Sequence, residues 1–300
     1  MNLPDVLGRA GAAWNESQVA LRKYLPEIEC GSLSIVGPVR DDNQDSIYVP
    51  TGEQADAPGL LFAVADGMGG YAHGGVASLL ALESFTSTLA TQNGAPIPKA
   101  LQRSVETANL QVYQKAQQLG AGPIGTTLTA AYVRGDILHL AHVGDSRAYL
   151  IRDGHATCLT ADHTSVGDMV RAKILSPTKI RTHAQRSILT KAIGISLFVQ
   201  ADIIQYKLHE GDHLVLCSDG VWSVIEDEEF ARVVREQGPV DLISRKLINL
   251  ALQHETDDNA SAVVFHLRKL VAAPEDYRSH QENNWFKKFR VSKTVGSQNP

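Results

Sequence analysis

Three apolar runs in this 300-residue chain end on an aspartate beside a glycine: "LLFAVADG" (60–67), "ILHLAHVGD" (137–145) and "HLVLCSDG" (213–220). A fourth aspartate, Asp258 in "TDDNASAVVF" (256–265), stands just before another such run. One Asp-Gly pair reads most simply as a turn, since glycine supplies the unusual dihedrals. Repetition changes the reading. Each run has the length and composition of a buried strand, so Asp66, Asp145, Asp219 and Asp258 sit where a rigid sheet can converge them on one point. Buried carboxylates without partners are costly, so a cluster of them calls for a cation. Oxygen donors without a Cys/His cluster favour a hard ion, Mg²⁺ or Mn²⁺, over zinc.

Between these runs the chain alternates blocks of strand and helix. "GGVASLLALESFTSTLA" (74–90) has a helical mixture of Ala, Leu and Ser suited to close packing on a sheet. Leu101, Val105, Ala108, Val112, Ala116 and Leu119 recur at three- and four-residue steps, which predicts a helix face ending at Gly120. "TTLTAAYV", "ILHLAHVG" and "SRAYLI" read as strands, and Asp153-Gly154 turns the last of them into "HATCLT" as a hairpin. "DIIQYKL" and "HLVLCSD" read as a strand pair around Glu210-Gly211-Asp212. Helices at 227–236 and 240–254 precede a final strand, "SAVVFHL". Strands in series and helices in pairs define an antiparallel α+β layered fold, not a βαβ alternation.

Composition narrows the class. A hydrophobic content of 43% is that of a globular protein, and the net charge of −5 offers no surface for nucleic acid or anionic membrane. No apolar stretch is long enough to span a bilayer, and the first thirty residues lack the apolar core of a secretory signal. Cys30, Cys158 and Cys217 form neither a disulfide framework nor a zinc knuckle, so a reducing, cytoplasmic location is expected. From Ala272 the chain is polar, with a basic-aromatic "NWFKKFR" inside the tail, and its end is expected to be disordered.

The motifs "VRDDNQDS" (39–46), "ADGMGG" (65–70), "GTTLTAAYV" (125–133), "VGDSRAYL" (143–150), "ADHTSV" (161–166), "LCSDGVW" (216–222) and "TDDNASAVV" (256–264) follow one another in a specific order. In that order the chain resembles the metal-dependent protein phosphatases of the protein phosphatase 2C type, bacterial branch, over roughly residues 31–270. The resemblance implies a β-sandwich of two antiparallel sheets flanked by pairs of helices. It covers a catalytic domain at 31–270 with a flap at 166–194, and outside it lie an extension at 1–30, in which "VALRKYL" reads as an extra helix, and a polar tail at 271–300.

Site roles follow from the same resemblance. Asp66 bridges two metal ions, Mn²⁺ or Mg²⁺, and the Gly67 carbonyl ligates one of them. Asp219 and Asp258 hold the other, Asp45 orients metal-bound waters, and Asp145 helps to hold a third, weaker ion. Arg40 grips the substrate phosphate, for which a guanidinium fork is better shaped than an ammonium. The implied reaction is hydrolysis of phosphoserine or phosphothreonine by direct attack of a metal-bridging water. The implied substrate is a protein phosphorylated by a bacterial Ser/Thr kinase, and the enzyme is expected to be a monomer. Met68 stands where eukaryotic members carry a histidine proposed to protonate the leaving group, which leaves metal-bound water and His73 as candidates for that acid. Gln44 stands where many relatives have Glu. Asp162 and His163 match a motif with no assigned catalytic role.

Other phosphatase chemistries fail on spacing. A cysteine nucleophile needs an arginine six residues on, where Cys30, Cys158 and Cys217 have Val36, Thr164 and Ser223. An aspartyl-phosphate enzyme needs a second Asp two residues on, where Asp66 has Met68. The remaining alternative is an inactive member of the fold that acts as a regulatory binding module. Retention of Asp45, Asp66, Asp219 and Asp258 argues against it, because a dead module gains nothing from mutually repelling carboxylates.

Overall fold

The computed structural model describes residues 25–50, 59–69, 73–92, 94–120, 123–236 and 238–271. The helix expected at "VALRKYL", apart from Leu25, and the tail with "NWFKKFR" lie outside them. Among the described residues, eleven strands form two antiparallel sheets. The first sheet has the order β1 (Glu27–Ile35), β11 (Ala260–Lys269), β10 (His213–Cys217), β7 (Arg147–Arg152), β8 (His155–Cys158). The second runs β2 (Asp45–Tyr48), β3 (Leu60–Met68), β5 (Leu128–Arg134), β6 (Ile137–Val143), β9 (Asp202–Lys207), with the short β4 (Gly125–Thr126) paired to the end of β3.

Apolar residues fill both faces of the central strands, which is why those strands read as unbroken hydrophobic runs. Phe62, Val64, Leu138, Leu140, Leu214, Leu216, Val263 and Phe265 pack between the sheets. The Phe62 and Phe265 rings stack there at 4.1 Å. Truncating either to alanine would cost about 3–5 kcal/mol. The opposite face of β3 carries Ala63 and Ala65 against Ala77, Ala81 and Phe85 of α1 (His73–Thr91), and α2 (Ile97–Leu119) packs into the same layer. Small residues on both surfaces let that helix lie close to the sheet. On the far side of the first sheet, α4 (Asp219–Trp222), α5 (Asp227–Arg235) and α6 (Val240–Gln253) cover Tyr149, Val215, Cys217 and Val264. A short α3 (Ser165–Arg171) opens the expected flap, and an isolated bridge from Ile193 to Thr126 anchors the flap's far end to β4.

The hairpin between β7 and β8 is present, with Asp153 at φ 51° and Gly154 at φ 77°, the paired positive dihedrals of a tight hairpin turn. Gly120 ends α2 in the left-handed region as its sequence predicts, although Leu119, read as part of the buried face, is 38% exposed.

Two further readings need correction. β9 and β10 do not pair. β9 lies beside β6 in the second sheet and β10 between β7 and β11 in the first. The connecting loop is divided between them, since Leu208 N–H bonds the Asp136 carbonyl of one sheet and Gly211 N–H the Leu267 carbonyl of the other. The acidic Glu210-Gly211 corner therefore carries the chain across the sandwich and closes no hairpin. Second, β1 starts at Glu27, so residues assigned to the extension are part of a sheet and pair with β11 through Lys269.

Candidate metal centre

The acidic residues meet at one end of the sandwich, where β2 and β3 approach β10 and β11. Asp45 and Asp66 are partners across the β2–β3 ladder. Asp66 lies inside β3 and not at its end, because β3 continues through Gly67 and Met68 to pair with β4. Asp219 opens α4 directly after β10, Asp258 immediately precedes Asn259 and β11, and Asp145 lies in the connection from β6 to β7.

Each carboxylate is fixed by its backbone or its neighbours. Ser218 Oγ and Ser261 Oγ donate to Asp45 Oδ2 at 2.8 and 2.6 Å, which ties the two sheets together through one side chain. Asp66 is clamped through its main chain. Its N–H donates to Thr127 Oγ1 at 2.9 Å, and its carbonyl accepts from Thr126 Oγ1 and Thr127 N–H, both at 2.8 Å. Gly67 N–H donates to the Gln44 carbonyl, which also accepts from Ser78 Oγ at 2.6 Å. A Cβ on Gly67 would lie 2.1 Å from the Gly74 carbonyl, so only glycine lets β3 and the start of α1 approach this closely. Asn259 side-chain bonds to Gln44 N–H and the Asp42 carbonyl fasten the "DDNQD" loop to the β11 entrance.

The electrostatics of this cluster are unfavourable as it stands. Asp45 Oδ1 and Asp219 Oδ1 are buried with no hydrogen-bond partner among the described residues. Burial pushes the Asp45 carboxyl up to about 7 against the pull of its two serine donors, and Asp219 and Asp258 add repulsion. Asp219 is raised to about 6, first by burial and then by Asp258. Asp66 and Asp145 are pushed well above the ordinary carboxylate range, again mainly by burial, with repulsion from Asp45 and Asp219 on the first and from Asp219 and Asp162 on the second. Among the described residues no three His, Cys, Asp or Glu side chains enclose an ion by themselves. Ions held here would keep water in their shells, as small hard divalent cations do. The donor set and its orphaned oxygens fit such ions.

Arg40, half exposed, bonds Asp258 Oδ2 through Nη2 at 2.7 Å. The expected phosphate-binding group is therefore at the rim of the cluster. Sequence reasoning missed three participants. Ser218 and Ser261 were hidden inside strand motifs, signalled only by their place beside Asp219 and after Asn259. Arg186 of the flap stabilises the Asp219 carboxylate through its charge, alongside Arg40. Asp162, by contrast, is turned away from the cluster into a paired bond with Arg147, at 2.8 Å to Nε and 2.7 Å to Nη2.

Two antiparallel sheets share the end at which these acidic residues gather. The chain belongs to the protein phosphatase 2C family, whose model, described as Protein phosphatase 2C, matches residues 40–240. The chain is 34% identical over 232 residues to the serine/threonine protein phosphatase PstP of Mycobacterium tuberculosis, a match covering 76% of this chain and 43% of PstP. It thus spans less than half the length of that relative. The serine/threonine phosphatase of S. agalactiae has a TM-score of 0.74 at 32% identity, covering 80% of this chain and all of that one. The catalytic domain of PstP in complex with two manganese ions has a TM-score of 0.69 at 31% identity, covering 80% of this chain and 97% of that domain.

Proposed function

We propose that this chain is a metal-dependent serine/threonine protein phosphatase. One observation carries the reading: carboxylates from four separate elements converge with the buried oxygens Asp45 Oδ1 and Asp219 Oδ1 unsatisfied, an arrangement that only protons or cations can stabilise. The manganese ions of the PstP catalytic domain support the same choice of ion. Asp66, the Gly67 carbonyl, Asp219 and Asp258 would hold two divalent ions, Mn²⁺ or Mg²⁺, and Asp145 would hold a third, more weakly. Such ions supply charge neutralisation for phosphoryl oxygens and lower the pKa of water, which answers the very large barrier of phosphomonoester hydrolysis.

The chain's own residues do the rest. Asp45, its Oδ2 held by two serines, keeps Oδ1 free to orient water. Arg40 and Arg186 place positive charge beside the cluster and receive the phosphate dianion. Water oxygen forms the new bond to phosphorus as the bond to the serine or threonine oxygen breaks. The water proton leaves toward the carboxylates, and the departing alkoxide takes a proton from solvent or His73. No cysteine or second aspartate stands where a covalent phosphoenzyme would need it. The substrate is a phosphoprotein made by a bacterial Ser/Thr kinase, met in the cytoplasm by a monomeric enzyme. Among the described residues no helix is long and apolar enough to cross a membrane. The test is phosphate release from a phosphothreonine peptide: present with manganese, absent in EDTA, and restored by adding manganese back. Release that continues unchanged in EDTA would refute the proposal.

A further inference from the structure

Asp145 sits on a three-residue connection whose backbone is gripped on every side. Gly144 is at φ 107°, and a Cβ there would meet Thr127 Cβ and Cγ2 at 2.6 Å. Trp222 Nε1 donates to the Asp145 carbonyl at 2.8 Å, and Thr129 Oγ1 donates to the Ser146 carbonyl at 2.9 Å. His163 holds Gly144 from both ends of its peptide units. Gly144 N–H donates to His163 Nδ1 at 3.0 Å, and His163 N–H donates to the Gly144 carbonyl at 2.8 Å.

That first bond fixes the tautomer. Nδ1 accepts, so Nε2 carries the proton and points it at Asp202 Oδ2, 3.2 Å away. Lys191 Nζ lies 3.3 Å from Asp202 Oδ1 and 3.2 Å from His163 Nε2, so its charge holds the carboxylate at the imidazole's edge. The His142 ring stacks on His163 at 4.8 Å and is itself held by Thr129 Oγ1 and the Ala161 carbonyl. His163 is 3% exposed, so its orientation is set by these contacts and not by water. This is the chain Asp202–His163–Gly144 leading to Asp145, a carboxylate oriented by a histidine it does not touch. Outer groups of this kind commonly change metal affinity by about 10–100-fold.

We infer that His163, oriented by Asp202, is a positioning residue that sets the affinity with which Asp145 takes its weak divalent ion. The inference rests on the reading of Asp145 given above. The experiment is manganese titration calorimetry on the full chain, with thermal melting alongside, for Asp145→Ala, His163→Phe, His163→Asn, Asp202→Ala and the double variant Asp145→Ala/His163→Phe. Expected are a weak-site isotherm missing in Asp145→Ala, weakened at least roughly tenfold in His163→Phe and less so in Asp202→Ala, and tight sites intact in all. His163→Asn, whose Oδ1 can still accept from Gly144 N–H, should recover part of the affinity. The double variant should match Asp145→Ala.

A wild-type weak-site isotherm in His163→Phe beside a lowered melting temperature would overturn the inference while Asp145 keeps its role. A wild-type isotherm in Asp145→Ala would overturn both. Should His163→Phe not fold, His163→Asn and Asp202→Ala decide, since Asp202 is 43% exposed at the edge of the structure and its removal opens no cavity. Unchanged weak-site affinity in both would then refute the inference.

Discussion

Asp45 faces Asp66 directly across the β2–β3 ladder, two acidic side chains paired where a sheet normally pairs apolar ones. Burial raises both carboxyls above their ordinary value of 3.8, Asp45 to about 7. Between those two values the folded state holds a proton that the unfolded chain has released, so rising pH lowers the stability of the ion-free protein. A cation bound only by the folded state removes the penalty. The melting-temperature gain from manganese over EDTA should therefore grow from about pH 5 to about pH 8, and it should shrink in Asp219→Asn. A gain that falls with rising pH would contradict this linkage.

Arg40 should act on substrate capture. It is half exposed and already pairs with Asp258, so its charge is at the rim and not in the core of the cluster. Charge-assisted hydrogen bonds are worth about 1.5–3 kcal/mol, and exposure favours the lower end. Arg40→Ala should raise KM for a phosphopeptide about tenfold and lower kcat less, with partial rescue by Lys, which lacks the fork. Steady-state kinetics decide the matter, and an unchanged KM would move Arg40 off the substrate.

Arg186 should behave similarly. Its charge already reaches Asp219. Arg186→Ala should weaken phosphopeptide binding by several-fold, and inorganic phosphate should inhibit the variant less well. Equal inhibition of both proteins by phosphate would place Arg186 outside the phosphate's reach.

Much of this was legible locally. Gly120 and Asp153-Gly154 announce a helix end and a hairpin because both depend on one residue's dihedrals. Asp66, Asp145, Asp219 and Asp258 stand out because each follows or precedes a buried run, whereas Asp45 is marked only by its motif. Sheet partnership was not legible: β9 and β10 are adjacent in sequence, yet Leu208 and Gly211 bond different sheets. Nor could the sequence show that Asp66 lies inside its strand, since β4 pairs with Gly67 and Met68 only through a distant contact. Ser218, Ser261 and Arg186 escaped notice because small hydroxyls and a flap arginine acquire roles only from what the fold sets opposite them.

The Arg147–Asp162 pair offers a test of stability alone. Both side chains are buried, at 7% and 3% exposure, and the guanidinium lies 3.5 Å from the centre of the Trp222 ring. Asp162→Ala strands a buried cation and should cost about 3–5 kcal/mol in urea denaturation. The exposed Arg245–Asp241 pair should be worth at most about 1 kcal/mol by the same method. Comparable small losses at both sites would show that Arg147 finds another partner.

The most direct test of the central claim is phosphopeptide turnover at saturating manganese by Asp66→Asn and Asp219→Asn, with circular dichroism confirming the fold. Each substitution keeps the side chain's shape and removes one ligand charge from the cluster. The account expects folded proteins whose turnover has fallen by roughly a hundredfold or more, as for loss of a central electrostatic element. Near-wild-type turnover in either folded variant would contradict it.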